Sequence, residues 1–342
     1  MSGLTDVHAH FLTERYVEAA TAAGHAEPDG MPAWPEWDAG RHLRLMDATG
    51  IDTAVLSISS PGVHFGDDAR ARALAVHVND HAADLSGRHD GRFRFFAALP
   101  LPDLEGALDE VRRTAGAPGL AGYVVLSNAH GRYPGDPQLE PLWRALDAAG
   151  TVAFLHPTSP PGWESVSPRR PRPMAEFMFE TARAVVDLMD ARVAERHPAI
   201  RFVVTHCGGA IPGLADRLQL FRWGDAMDGV PESVDEQLRR LWFDVAGTPL
   251  PTQLPALLQH VGEDRIVYGS DHCFTPASAV ALQLGALDAG RDGWRALCSR
   301  NVETLLGAGR PAAPPGVVPR ARAELVRRVF RRAAERLLLG QG

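Results

Sequence analysis

Lysine is missing from this sequence: all 35 basic residues among its 342 residues are arginine. A chain without lysine cannot form a Schiff base and cannot supply the lysine of a phosphate-binding P-loop. It also cannot carry the carbamylated lysine that bridges two metal ions. Any metal centre built on this chain is therefore expected to hold a single ion.

Cysteine is scarce as well, and no apolar run is long enough to span a bilayer. The three cysteines, Cys207, Cys273 and Cys298, are scattered and odd in number. Such a set does not form a disulfide framework and is typical of a reducing compartment. No basic and apolar leader precedes Leu4. The sequence predicts a cytoplasmic protein without a membrane partner.

An excess of positive charge is also absent, because the formal net charge is -7. Nucleic-acid binding needs a clustered basic surface, so no nucleic-acid partner is expected.

Apolar runs that alternate with helical segments dominate the chain. The strand-like runs are apolar throughout, as expected for strands that are covered on both faces. They are Leu4–Leu12, Thr53–Ile58, Phe93–Pro100, Gly122–Ser127, Thr151–His156, Arg201–His206, Leu241–Ala246 and Arg265–Ser270. Eight such runs predict an α/β fold, a (β/α)8 TIM barrel, with an open doubly wound sheet as the alternative.

Two stretches and the C-terminus depart from this alternation. Residues Glu14–Gly40 and Pro157–Pro173 are rich in proline, which predicts irregular insertions after strands one and five. A single long helix is predicted over Met174–Arg196. Residues 1–309 form the predicted barrel, and residues 310–342 a proline-rich linker and an amphipathic helix. The arginine-rich face of that helix is interpreted as solvated, with a homodimer contact as the alternative.

Candidate ligands stand at the ends of several predicted strands. On a strand, side chains two residues apart point to the same side, so His8 and His10 project together. Three later strands end at His156, His206 and Asp271. Barrel enzymes keep their chemistry at the carboxyl ends of the strands, where these residues would meet.

Imidazole nitrogens combined with a carboxylate suit one divalent metal ion. Zn2+ fits such a set best, with Mn2+ or iron as alternatives. His206 is either a further ligand or a proton carrier, and Asp271 is eligible for both roles. Cys207 and Cys273 lie beside these residues, but they are interpreted as small buried apolar side chains.

The ordered motifs resemble those of the amidohydrolase-related metal-dependent decarboxylases, which include aminocarboxymuconate semialdehyde decarboxylase. The segments that carry the resemblance are Asp6–Phe11, Phe154–Pro157, Thr205–Pro212, Tyr268–Asp271 and Asn301–Gly307. Within that family the chain looks most like 6-methylsalicylate decarboxylase-like proteins. That likeness rests on Trp34–Trp37, Leu45–Ile51, Asn128–Tyr133 and Pro173–Thr181.

The resemblance implies a barrel with one divalent metal held by His8, His10, His156 and Asp271, and a catalytic role for His206. It implies non-oxidative decarboxylation of a small ortho-hydroxy aromatic acid. The substrate oxygens would lie on the metal, and Asp271 or His206 would protonate the ring carbon.

The predicted substrate contacts are three aromatic side chains and one histidine. Phe11, Phe179 and Phe274 are candidates to flank a planar ring, although each is equally compatible with an ordinary core position. His272 follows the predicted ligand Asp271. His272 and Cys273 replace the aromatic and proline residues common in the family, which is expected to reshape the pocket.

Two other functions use the same residues. In a hydrolase of an amide, lactone or ester, the metal would activate water and His206 would act as general base. A non-catalytic metal-binding protein is the third interpretation. It is disfavoured because structural zinc sites are closed and rich in cysteine.

Overall fold

The computed structural model describes residues 3–167, 169–224 and 232–307. Their strands are β1 Leu4–His10, β2 Ile51–Ser57, β3 Phe93–Ala98, β4 Leu120–Leu126, β5 Val152–His156, β6 Arg201–Val204, β7 Trp242–Asp244 and β8 Ile266–Val267. They form one sheet in sequence order with parallel neighbours. Backbone contacts nearly close the sheet: Val7 N–H donates to Tyr268 O over 2.9 Å, and Ala9 pairs with His272. The predicted (β/α)8 barrel is confirmed.

Helices surround the sheet. They are α1 Glu14–Ala22, α2 Ala39–Thr49, α3 Asp68–Arg88, α4 Leu104–Thr114, α5 Glu140–Ala149, α6 Trp163–Val166, α7 Glu176–Asp190, α8 Val193–Arg196, α9 Ile211–Gly224, α10 Val234–Leu238, α11 Gln253–Leu257, α12 Ala277–Gly290 and α13 Trp294–Leu306. No helix among the described residues is long and apolar enough to cross a membrane.

The barrel interior is filled by apolar residues from all eight strands. These residues are Val7, Val55, Phe96, Val124, Val152, Phe154, Val203, Trp242 and Val267. The rings of Phe96 and Phe154 stack with their centroids 4.9 Å apart. The ring of His8 packs edge-on against Phe154 at 5.0 Å. The packed interior is therefore the apolar floor beneath the strand ends.

The predicted Met174–Arg196 helix is wrong in one respect, because the chain forms two helices there. α7 ends at Asp190 and α8 begins at Val193. Between them Arg192 has a left-handed backbone, with φ of 54°. A left-handed residue interrupts the helical hydrogen bonds, and the apolar periodicity did not reveal it.

The insertion after β1 is more regular than predicted. It contains α1, which begins after Thr13, whose hydroxyl accepts a hydrogen bond from Tyr16 N–H. A short turn over Pro28–Gly30 follows. The second insertion holds α6 and a turn over Arg172–Met174. The predicted linker and C-terminal helix at 310–342 lie outside the described residues and stay a prediction.

Candidate metal centre

The four predicted ligands converge at the carboxyl ends of the strands. His8 and His10 come from β1, His156 ends β5, and Asp271 follows β8. One potential ligand atom from each lies within 4.8 Å of the other three. His10 Nε2 is 3.1 Å from His8 Nε2 and 3.0 Å from Asp271 Oδ1. Ligand atoms around one tetrahedral zinc ion would be ~3.4 Å apart, so the spacing suits a single ion.

Hydrogen bonds outside the cluster fix which ring nitrogen of His8 and His156 carries the hydrogen. His8 Nδ1 donates to Asp244 Oδ2 over 2.8 Å, and His156 Nδ1 donates to Pro157 O over 2.7 Å. A carboxylate and a carbonyl oxygen can only accept, so Nε2 carries the lone pair when either ring is neutral.

His10 is oriented in the same way. Its Nδ1 lies 2.9 Å from Ser57 Oγ, and that hydroxyl donates to Ala9 O over 3.3 Å. Because the hydroxyl hydrogen is used, the Ser57 oxygen accepts from His10. With all three rings neutral, three imidazole lone pairs and one carboxylate face a common point, and this donor set fits a divalent metal ion.

Burial and hydrogen bonding set the charges of the cluster. Burial raises the pKa of a carboxyl group, but the contacts of Asp271 with the rings of His10, His206 and His8 hold its pKa well below the usual range. Burial holds the pKa of His156 well below its usual range. Burial also lowers the pKa of His8, but the Asp244 carboxylate outweighs it and raises that pKa to about 10. The ion-free cluster thus favours one positive charge beside an ionised Asp271.

His206 lies beside the four ligands. It follows β6 in a tight turn, where its backbone is left-handed with φ of 54°. Its Nε2 is 3.6 Å from Asp271 Oδ2, and its ring centroid is 5.0 Å from that of His8. Within the described part of the chain, its buried Nδ1 has no hydrogen-bond partner. His206 is therefore near enough to exchange a proton at the site, and this role stays a prediction.

A cavity of about 430 Å³ opens onto the cluster. His156, His206 and Asp271 line one end of it, and Phe177 and Phe274 contribute aromatic walls. No arginine is among the described residues that line it. A bound carboxylate would therefore meet positive charge only at the metal cluster.

Of the four predicted substrate contacts, only Phe274 lines this cavity. Phe11 is 2% exposed and packs against Trp37 and His81. Phe179 is 50% exposed. The ring of His272 packs against His42 at a centroid distance of 4.7 Å.

Phe177 was missed, and helix geometry explains why. It lies on α7 two residues before Phe179, and residues two apart on a helix face different sides. Phe177 is buried and lines the cavity, whereas Phe179 points away from it. The sequence contains both phenylalanines but does not indicate which side of the helix faces the barrel.

Asp244 was also missed as a functional residue. It ends β7 and is 0% exposed. Its Oδ2 accepts from His8, and its Oδ1 accepts from the backbone N–H groups of His206 over 2.9 Å and Ala246 over 3.0 Å. The available signal was an acidic residue at the end of an apolar strand, the same signal that identified Asp271.

The cysteines beside the site are buried and free. Burial raises the pKa of Cys207 well above its usual range and that of Cys273 to about 12. Thiols with such pKa values stay protonated at neutral pH, and a metal binds the thiolate. This agrees with the interpretation of both as apolar side chains.

A second cavity of about 710 Å³ is lined in part by His64 and His130. His64 Nε2 donates to Asp68 Oδ1 over 2.8 Å, and its Nδ1 accepts from Gly66 N–H. His130 Nε2 donates to His64 O over 3.2 Å. Within residues 3–167, 169–224 and 232–307, only His8, His10, His156 and Asp271 form a group that could hold a metal ion.

Comparison with known proteins gives consistent matches. The sequence matches the amidohydrolase family over residues 5–339. Decarboxylase yanB of Aspergillus niger is 31% identical over 292 residues, covering 80% of this chain and 78% of that protein. The 6-methylsalicylic acid decarboxylase acuB of Aspergillus aculeatus is 30% identical over 290 residues, covering 80% of this chain and 86% of that protein.

A solved structure supports the fold independently. It is a dihydroxybenzoic acid decarboxylase from Polaromonas sp. JS666 with bound manganese and the inhibitor 2-nitroresorcinol. Its TM-score is 0.77 at 24% identity, covering 93% of this chain and 100% of that one. At this identity the likeness carries the fold alone.

Proposed function

This chain belongs to the amidohydrolase family, and from that membership we propose that it is a metal-dependent, non-oxidative decarboxylase of hydroxy aromatic acids. The observation that carries the proposal is the convergence of three imidazole lone pairs and one carboxylate on a cavity without a lining arginine. An ortho-hydroxy acid similar to 6-methylsalicylate is the proposed substrate, supported by the relative that is named for that reaction.

His8, His10, His156 and Asp271 are the proposed ligands of one divalent ion. The nitrogen-rich set supports Zn2+, and the manganese in the Polaromonas structure supports Mn2+ as the alternative. When bound, the ion stabilises negative charge on the carboxylate and ortho oxygens of the substrate.

The cavity walls orient the ring and exclude water. Phe274 lies with its ring centroid 5.5 Å from that of His10, and Phe177 lies 6.2 Å from His156. Aromatic walls so close to the cluster favour a planar ring that is held next to the ligands. Removing water from the carboxylate favours loss of carbon dioxide, because the charged group loses its hydration.

Decarboxylation leaves an electron pair on the ring carbon, and a proton must be delivered to it. The bond from the ring to the carboxylate breaks, carbon dioxide departs, and the electron pair takes up the proton. Asp271 and His206 are the candidates. Because the pKa of Asp271 is held well below its usual range, it holds no proton at neutral pH. We therefore assign proton delivery to His206, with Asp271 as the alternative.

Hydrolysis of an amide, lactone or ester, with His206 as general base, is not favoured. The relatives that span most of this chain are named as decarboxylases. The experiment described next distinguishes hydrolysis from decarboxylation.

The test is turnover in deuterium oxide. Metal-replete protein is incubated with a panel of salicylates, including 6-methylsalicylate, and with a panel of amides and lactones. We expect carbon dioxide from a salicylate and deuterium at the carbon that lost the carboxylate. His130→Asn, in the second cavity, is the matched control for His206→Asn and should turn over like the wild type. Turnover confined to the amides or lactones, without carbon dioxide, would falsify the proposal.

A further inference from the structure

Asp244 contacts both a proposed metal ligand and the proposed proton carrier. One of its carboxylate oxygens bonds the ring of His8, and the other bonds the backbone of His206. We infer that Asp244 is a positioning residue that makes His8 a metal ligand by fixing which ring nitrogen carries the hydrogen. This inference rests on the proposed metal binding by His8.

The direction of the hydrogen bond is the first step. Asp244 Oδ2 lies 2.8 Å from His8 Nδ1, and Asp244 Oδ1 already accepts from two backbone N–H groups. An ionised carboxylate only accepts, so the hydrogen between the two groups belongs to His8 Nδ1. His8 and Asp244 are both 0% exposed, so bulk water cannot compete for this contact. Nε2 is then the nitrogen that gives up its hydrogen and presents the lone pair that a metal ligand requires.

The side chains of His8 and Asp244 both pack closely against Gly269. A Cβ atom at Gly269 would lie 2.6 Å from His8 Cβ and 3.2 Å from Asp244 Cβ. Only a residue without a side chain leaves room for both at this point. The bond between His8 on β1 and Asp244 on β7 therefore forms beside Gly269, which follows β8.

The second oxygen fixes the start of the turn that carries His206. Asp244 Oδ1 accepts from the His206 N–H over 2.9 Å, where the backbone of His206 turns left-handed. It also accepts from the Ala246 N–H over 3.0 Å. The same side chain thus orients a ligand through one oxygen and positions the proton carrier through the other.

Asparagine and alanine variants separate this role from a merely structural one. In Asp244→Asn the amide oxygen can keep the two backbone contacts, while the amide NH2 faces His8. An NH2 group donates, so His8 Nδ1 must accept and its hydrogen moves to Nε2, where it blocks the metal. In Asp244→Ala the backbone contacts are lost, but His8 is free to carry its hydrogen on either nitrogen.

The readout is the dissociation constant for Zn2+ and for Mn2+, titrated into full-length, chelator-stripped protein. For Asp244→Asn we expect metal binding to weaken about 10–100-fold, the usual range for loss of such a partner. We expect Asp244→Ala to bind the ion more tightly than Asp244→Asn, although it is the less stable of the two in thermal unfolding. Metal binding by Asp244→Asn as tight as the wild type, or tighter than by Asp244→Ala, would overturn the inference.

Two further variants and the wild type serve as controls for the metal titration. Asp235→Asn changes another carboxylate that pairs with a histidine, Asp235 Oδ1 being 2.9 Å from His260 Nδ1, and should bind metal like the wild type. If Asp244→Ala does not fold, Asp244→Glu replaces it. Tighter binding than in Asp244→Asn then supports the inference, and equal or weaker binding overturns it. If the wild type itself binds no ion, the proposed function has failed, which is distinct from a failure of Asp244.

Discussion

Among the described residues, two cavities are lined by histidine, and only one of them opens onto a group that could hold a metal ion. The cavity of about 430 Å³ opens onto the cluster of His8, His10, His156 and Asp271. The larger cavity, of about 710 Å³, is lined by His25, His64 and His130. Size and histidine content do not distinguish a metal site here, because the larger cavity has both.

The difference lies in the hydrogen-bond partners of the ring nitrogens. At the cluster, each Nδ1 bonds an acceptor outside the ligand set, and each Nε2 is left facing the other ligands. In the larger cavity both nitrogens of His64 are already used by Asp68 and Gly66, so that ring has no free lone pair. The surrounding partners therefore decide which histidines can hold a metal.

The largest expected effect comes from removing one histidine from each cavity and comparing the two variants. We expect His156→Ala to lose most of its metal and its decarboxylase activity, because a proposed ligand is gone. His130→Ala, in the larger cavity, should keep both. Metal content after dialysis and carbon dioxide release are the measurements. Loss of metal from both variants, or from neither, would contradict this account.

His206 should separate metal binding from catalysis. Loss of a general acid typically slows a reaction by about 10²–10⁴-fold, so His206→Asn should fall within that range. It should retain its metal, because His206 is not among the proposed ligands. His64→Asn is the control and should change neither property. A metal-free His206→Asn protein would make His206 a ligand.

The metal affinity of the wild type should depend on pH. The pKa of His8 is raised to about 10 in the ion-free cluster, so at neutral pH a metal must displace its proton. Affinity should therefore rise with pH between 6 and 8, by roughly tenfold per unit for one displaced proton. His130→Ala should show the same slope. An affinity in the wild type that is flat over this range would exclude proton displacement from His8.

The smallest expected effect comes from the cavity walls. Phe274→Leu removes an aromatic surface next to His10, and an aromatic contact is worth about 0.5–1.5 kcal/mol. We expect KM to rise about 2–12-fold with little change in kcat, if this contact holds substrate and transition state equally. Phe65→Leu changes the larger cavity and should leave KM unaltered. Equal changes in both variants would remove the distinction between the cavities.

Sequence patterns predicted the barrel well, because each strand is an apolar run and parallel strands meet at one end. That rule was sufficient to bring His8, His10, His156 and Asp271 together. Features that depend on the local direction of the backbone were harder to predict. The left-handed break at Arg192 and the helix Glu14–Ala22, next to a stretch rich in proline and glycine, were missed for this reason.

The lining of the cavity was the least predictable part. A phenylalanine fits an apolar core and an aromatic wall equally well, so Phe177 could not be distinguished from Phe179 by composition. Asp244 carries no spacing signature of its own. Its importance comes from the two groups it touches, and those contacts follow only from the folded barrel.

The most direct test of the central claim is the position of the metal in crystals of the metal-loaded protein. Anomalous diffraction at the zinc or manganese edge locates the ion without reference to activity. We predict one peak per chain, with His8 Nε2, His10 Nε2, a ring nitrogen of His156 and a carboxylate oxygen of Asp271 at bonding distances of ~2.0–2.2 Å. A peak in the cavity of His64 and His130, or two peaks bridged at the cluster, would contradict the account.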